Sequence, residues 1–353
     1  MKALITAGGH GTRLRPITHT QNKHLIPIAN KLMLDYALEY VREANIIDVA
    51  IIINAGDDSI KTEFGDGTSR NIKITYIPQD APLGLAHVVK ISEKFIKDDP
   101  FIFYLGDNIL VGGISNFVSE FNKAGSNCHL ALSRVPDPNR FGVAEIKDHK
   151  IIGIEEKPKI PKSNLAVTGI YLYDNNIFKA VNNIKPSARG ELEISDAHQY
   201  LLNEGYHISY SEITGWWKDT GKPSDLLEAN RLVLDNIDDK KDGVITNTEV
   251  SGKLQTGNNV RITNSKIDGP VIIGDDSVIE NAHITPHTAI GRRCEITNSK
   301  IGYSIIMSDS KIKNVTDKIT GSLLGNDVQI IGNHKDQSAH RFILGDQSRI
   351  EVD

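Results

Sequence analysis

Cysteine is nearly missing from this sequence. Its 353 residues include two, Cys128 and Cys294, far apart in the chain. They form neither a CxxC pair nor a zinc spacing, and two cannot build a disulfide framework, so a reducing compartment fits. Long apolar runs are missing as well. Stretches such as 49–53 fall far short of the roughly 18 residues that a membrane span needs. The apolar opening stops at Gly8, too soon for the about 7–15 apolar residues of a secretory leader. The expectation is a soluble, cytoplasmic protein with no membrane partner. Basic excess is absent too: Lys and Arg total 40 against 45 Asp and Glu, a net charge of −5. Such a chain has no global field for a polyanion, so nucleic acid is not an expected partner. Any anionic ligand needs a locally built site.

What is present suggests two or three domains at roughly 150 residues each. Through residue 236, short aliphatic runs alternate with helical spacing. Residues 3–6, 49–54, 73–77 and 101–105 read as strands, and 32–43, 58–64 and 85–96 as helices. That alternation predicts βαβ units and a mostly parallel, Rossmann-like α/β sheet buried on both faces. A polar, charged run at 237–243 is the expected linker. Beyond it aromatics nearly vanish and aliphatic residues recur every five or six positions: Ile273, Ile279, Ile284, Ile290, Ile296. IGDDSV at 273–278 and IGRRCE at 290–295 are near-ideal hexads, and NSKI at 264–267 recurs at 298–301. Repeats this short bury a face only when stacked, which predicts a parallel β-helix over 244–353 rather than a β-sandwich. With about 18 residues per coil, some 90 residues give near five coils. A late hexad, ILGDQS at 343–348, predicts that the C-terminal segment folds back onto the helix.

The first strand runs into AGGHGTRLRP at 7–16. Three glycines in four positions let backbone amides approach an anion closely. The Gly-Lys-Ser/Thr ending of a P-loop is absent, and Leu14 stands where the third glycine of a dinucleotide fingerprint belongs. What remains is a glycine loop with its own cations: Arg13, Arg15 and, shortly after, Lys23.

This loop, followed by NKHLIP at 22–27, resembles the signature of the sugar-1-phosphate nucleotidylyltransferases, in particular the long thymidylyltransferase branch with its appended left-handed β-helix. Further matching segments follow in family order: YIPQDAPLGLA at 76–86, YLGDN at 104–108, FGVAE at 141–145, EEKP at 155–158, TGIY at 168–171, RGELEISD at 189–196 and WKDTG at 217–221. Thr6 stands where an aliphatic residue is usual, His24 where Gln is common, and Leu32 where Pro is common.

The resemblance implies transfer of a nucleotidyl group to a sugar 1-phosphate with release of pyrophosphate, dTTP and glucose 1-phosphate being favoured. The nucleophile is a phosphate oxygen already ionised at neutral pH, so the obstacle is repulsion between two polyanions. Catalysis then means positioning and charge neutralisation. The implied catalytic residues are Arg13, Lys23, Asp107 and Asp219, with Mg²⁺ shared by Asp107 and Asp219. Nucleotide contacts fall to Gly8, Gly9, Gly11, Thr12, Arg13, Gln79, Gly84 and Asp107. The sugar phosphate falls to Gly142, Glu156, Lys157, Gly169 and Glu191. Trp216 and Trp217 read as core or pocket wall. His283 and His287, on the repeat, bring in a second reading, a bifunctional uridylyltransferase and acetyltransferase. A third is a regulatory homologue that only binds nucleotide sugars. Repetitive solenoid faces commonly serve assembly, so a homo-oligomer is expected.

Overall fold

The computed structural model describes residues 1–332. The segment expected to fold back, with its hexad at 343–348, lies outside them. In chain order the strands are β1 (Lys2–Thr6), β2 (Pro27–Ile28), β3 (Lys31–Leu32), β4 (Asp48–Asn54), β5 (Lys73–Gln79), β6 (Phe101–Leu105), β7 (Asn108–Leu110), β8 (Cys128–Arg134), β9 (Gly142–Lys147), β10 (Lys150–Glu156), β11 (Leu165–Tyr173), β12 (Ile208–Glu212) and β13 (Trp217–Asp219). The helices are α1 (Met33–Glu43), α2 (Ser59–Phe64), α3 (Leu85–Ile91), α4 (Glu93–Ile96), α5 (Ser115–Ala124), α6 (Ile177–Asn183), α7 (Ile194–Asn203) and α8 (Pro223–Leu234).

Two compact units interleave along the chain: Met1–His10 with Leu34–Asp219, and Gly11–Met33 with Thr220 onward. This departs from the expected division at 236–244. Residues 11–33 group with the C-terminal unit because polar and apolar groups tie them there. The Ala29 N–H donates to Oδ1 of the buried Asn230 at 2.9 Å, and Asn30 Nδ2 donates to the Ile290 carbonyl at 2.7 Å. Ala29 also packs with Leu234, Ile272 and Ala289. The expected linker is partly strand: Lys240–Lys241 pairs with residues 255–256 and opens the coil stack.

In the first unit the sheet order is β10-β9-β11-β6-β1-β4-β5, with β8 joined to β11 and β12 to β8. β6, β1, β4 and β5 run parallel, as their aliphatic sequences predict. Antiparallel pairing of β11 with β6, β8 and β9 builds the other half. β11 is buried along all nine residues. The helix expected over 85–96 breaks at Ser92, whose buried hydroxyl donates back to the Val88 carbonyl at 2.8 Å; such back-bonding competes with the helical ladder.

In the second unit, stacked parallel strands form three sheets, consistent with a left-handed β-helix. Equivalent positions lie 17 residues apart in most coils, shortening to 16 and lengthening to 18 near the end. Ile262, Ile279, Ile296 and Ile312 stack inward on one sheet, and Ile267, Ile284 and Ile301 on another. Corner positions Asn264, Asn281 and Asn298 take positive φ, which asparagine tolerates better than most residues. On the third sheet the outward Ile272 and Ala289 are apolar because Ala29 and Leu234 cover them.

Ile284 is fully buried in this stack. Ile284→Ala should lower the unfolding free energy by about 2–5 kcal/mol, measured by denaturant titration. The exposed Lys300→Ala should move it by less than about 0.5 kcal/mol. Equal effects would contradict the stacked core.

Candidate active site

Parallel strands place their carboxyl ends on one edge, where open α/β sheets bind ligands. In the first unit that edge carries the end of β1 with Gly8 and Gly9, Asn54 of β4, Gln79 of β5, and Asp107 just past β6. Asn54 and Gln79 are register partners. The Gly9 N–H donates to Asn54 Oδ1 at 2.8 Å, and a Cβ at Gly8 would lie 3.1 Å from that oxygen. Gly8 is explained by this close approach, and Gly9 by its φ of 96°. Thr6 has a use the sequence did not reveal. Its carbonyl and hydroxyl oxygens both accept from the Gly106 N–H, at 3.1 and 3.2 Å, pinning the turn that carries Asp107.

Local pairing brings the backbone of Asp219 close to that of Asp107. β7 and β13 are antiparallel with Asp219 opposite Asn108, one residue from Asp107. Asn108 Nδ2 donates to Asp107 Oδ1 at 3.0 Å, and the Trp217 indole N–H donates to Asn108 Oδ1 at 2.6 Å. Among the described residues no group of three or more His, Cys, Asp or Glu side chains could hold a metal. Two carboxylates fit an ion such as Mg²⁺, which binds through one or two carboxylates, waters and substrate phosphates.

Gly142 pairs with Glu156 across β9 and β10 and with Val167 of β11. A Cβ on Gly142 would fall 2.6 Å from Ser195 Oγ and 3.3 Å from Glu156 Oε2. Ser195 donates to that same oxygen at 2.7 Å. Lys157 has φ 42° and its ammonium lies 3.5 Å from Glu156. Glu191 lies 3.8 Å from Arg189, which grips Glu193 through three bonds of 2.8, 2.9 and 3.2 Å and stands 3.8 Å from Glu156. Arg189, Glu193, Ser195 and Asp196 all escaped the residue-by-residue reading, although RGELEISD contains every one. Burial, then Glu193 and Glu156, raise the Asp196 carboxyl above its usual range.

Two glycines also have packing reasons. A Cβ on Gly84 would lie 2.4 Å from the Leu192 carbonyl oxygen, and one on Gly169 would lie 2.7 Å from Leu105 and 2.8 Å from Asn108 Nδ2.

The second unit holds Gly11, Thr12, Arg13 and Lys23. Gly11 has φ 55°, its carbonyl accepts from Thr18 Oγ1 at 2.8 Å, and a Cβ there would meet Thr18 at 3.0 Å and Lys23 at 3.3 Å. Residues Thr12–Leu14 and Lys23–Leu25 are single 3₁₀ turns. The Arg13 guanidinium packs against Gly221, where a Cβ would lie 2.9 Å from Nη2. His283 and His287 engage Asp268 and Asp235 at 2.6 and 2.8 Å.

Gln79 Nε2 lies 3.1 Å from His87 Nδ1. In this orientation the amide N–H donates and Nδ1 accepts, which is the arrangement of a neutral ring. Partial burial, aided by Lys90 and opposed by Asp80, holds the His87 pKa below the usual histidine value. As pH falls through that depressed pKa, Nδ1 gains a proton and Gln79 has to turn its Oε1 to the ring. NMR titration of the His87 ring and the Gln79 amide should show both changes together, below about pH 6.5. A ring titrating at or above that pH with an unmoved amide would contradict the pairing.

A protein-family profile described as "Nucleotidyl transferase" matches residues 2–236. The chain is 44% identical to a glucose-1-phosphate thymidylyltransferase of Streptomyces griseus and 45% identical to one of Streptomyces antibioticus, each time over 100% of this chain and 99% of the relative. A Bacillus anthracis crystal structure in complex with a sucrose, assigned to glucose-1-phosphate thymidylyltransferase, superposes with a TM-score of 0.64 at 42% identity. It covers 68% of this chain and 98% of its own. With the strand-end geometry above, these likenesses establish that the chain belongs to the nucleotidyl transferase family and is an enzyme of the sugar-phosphate nucleotidyl-transferring kind.

Proposed function

We propose that this enzyme transfers a thymidylyl group from dTTP to glucose 1-phosphate, giving dTDP-glucose and pyrophosphate. The observation that carries the reading is the β7–β13 pairing, which seats Asp107 and Asp219 one position apart at a strand-end edge. Full-length likeness to glucose-1-phosphate thymidylyltransferases supports the choice of substrates. The readings as an acetyltransferase or a purely regulatory binder gain no comparable support.

In the reaction a sugar-phosphate oxygen attacks the α-phosphorus in line. The bond from that phosphorus to the bridging oxygen breaks, and pyrophosphate leaves. No side chain has to remove a proton, because the attacking oxygen is ionised. When bound between Asp107 and Asp219, Mg²⁺ would supply charge neutralisation at the α-phosphate. Arg13 holds the triphosphate with its planar fork and offsets the charge growing on pyrophosphate. Lys23 serves as a point charge for the α-phosphate. Backbone groups of Gly8, Gly9, Gly11 and Thr12 line the phosphates. Gln79, its amide oriented by His87, pairs with the pyrimidine edge through one donor and one acceptor, and Gly84 shapes the turn beneath it. Lys157 takes the sugar phosphate, while Glu156, Glu191 and the Gly142 backbone take the hexose hydroxyls. Gly169 contributes by admitting Asn108. We place the reaction in the cytoplasm, where two buried free cysteines stay reduced. The enzyme works as a homo-oligomer to which 244–353 contribute contacts.

A matrix of nucleoside triphosphates against sugar 1-phosphates, read by pyrophosphate release, should give its highest kcat/KM for dTTP with glucose 1-phosphate and none without a divalent ion. Asp107→Ala or Arg13→Ala should each lower kcat about a hundredfold or more. Undiminished turnover in chelator, or in Asp107→Ala, would contradict the mechanism. Light scattering should give a multiple of the 38.9 kDa chain mass; a monomer would refute the assembly.

A further inference from the structure

Asn108 is 2% exposed, and its surroundings leave its side chain one orientation. The Trp217 indole N–H points at Oδ1 from 2.6 Å, and an indole nitrogen can only donate. Oδ1 must therefore face Trp217, which turns Nδ2 toward Asp107 Oδ1 at 3.0 Å. Flipping the amide would set two N–H donors against each other and a carbonyl oxygen against a carboxylate, leaving buried polar groups unsatisfied. The backbone is pinned as well: Tyr104 donates its hydroxyl to the Asn108 carbonyl at 2.7 Å, and the residue opposite in the ladder is Asp219. Gly169 completes the cradle, since any Cβ there would crowd Nδ2 at 2.8 Å. Trp217 is held in turn by the ring of Phe141, edge-on at 5.4 Å, immediately before Gly142.

We propose that Asn108 is the positioning residue for the Asp107 carboxylate, locked by the Trp217 indole, so that Trp217 acts on the divalent-ion site through Asn108. This rests on the reading of Asp107 as a ligand to that ion. A buried amide that served packing alone would change stability and leave ion binding untouched. A relay instead couples both side chains to ion affinity, and makes the effect of Trp217 depend on Asn108.

The test uses the full chain without substrates. Mg²⁺ is titrated by calorimetry while the Trp217 indole signal is followed by ¹H–¹⁵N NMR. Asn108→Leu should weaken Mg²⁺ binding about tenfold, in the range found for partners of metal ligands. It should also raise the Mg²⁺ needed for half-maximal pyrophosphate release by a similar factor. Trp217→Phe keeps an aromatic side chain but loses the donor, and should weaken binding about threefold, adding nothing in the Asn108→Leu background. In the unaltered protein the indole signal should shift as Mg²⁺ binds. Should Asn108→Leu fail to fold, Trp217→Phe and the indole signal still decide. Ion affinity within twofold of the unaltered protein in folded variants, an indole signal blind to Mg²⁺, or full additivity of the two substitutions would overturn the relay. Mg²⁺ affinity unchanged in Asp107→Asn would instead overturn the reading of Asp107 as a ligand.

Discussion

Two carboxyl residues brought near one another by a single short ladder are the constraint on which the site depends. Asp107 and Asp219 come from parts of the chain more than a hundred residues apart, yet the short β7–β13 ladder sets them one position apart. On the reading proposed above, a cation would offset the repulsion between like charges brought near each other. The same repulsion, written larger, is the chemical problem: a triphosphate and a sugar phosphate must approach one another. Every other feature of the first unit's strand-end edge can be read as support for that meeting.

The supports are mostly polar and backbone-directed. Thr6 grips Gly106 ahead of Asp107, Asn54 grips Gly9, and His87 fixes the sense of Gln79. Ser195 and Lys157 address Glu156, while Arg189 binds Glu193 and lies near Glu156 and Glu191. Groups held this way need little reorganisation as charge moves, and preorganisation of this kind is usually the largest part of electrostatic catalysis. The second unit has a different economy. Its coils place inward isoleucines at intervals near 17 residues, so burial repeats and no single coil has to be stable alone.

Much of this was legible in the sequence. Parallel strands β1, β4, β5 and β6 follow from aliphatic runs separated by helical spacing, and the coil stack from the isoleucine beat. The motif residues Gly8, Gln79, Asp107 and Glu156 stand at strand ends because those motifs begin where aliphatic runs stop. What could not be read depends on partners distant in sequence. Nothing local in 27–32 says that Ala29 will bond to Asn230 or cover Ile272. Gly84 and Gly169 are recognisable as special, but only the fold shows Leu192 and Asn108 filling the missing side chains' space. Trp217 reads as a wall residue until its indole is seen donating to an amide 109 positions away.

The central claim is that Asp107 and Asp219 grip one divalent ion that also touches the nucleotide. Pulsed electron paramagnetic resonance of the enzyme with Mn²⁺ and dTDP-glucose tests it directly. The account predicts a single bound Mn²⁺ with phosphorus hyperfine coupling, lost or strongly reduced in Asp219→Ala. Coupling that is absent in the unaltered enzyme, or identical in Asp219→Ala, would contradict it.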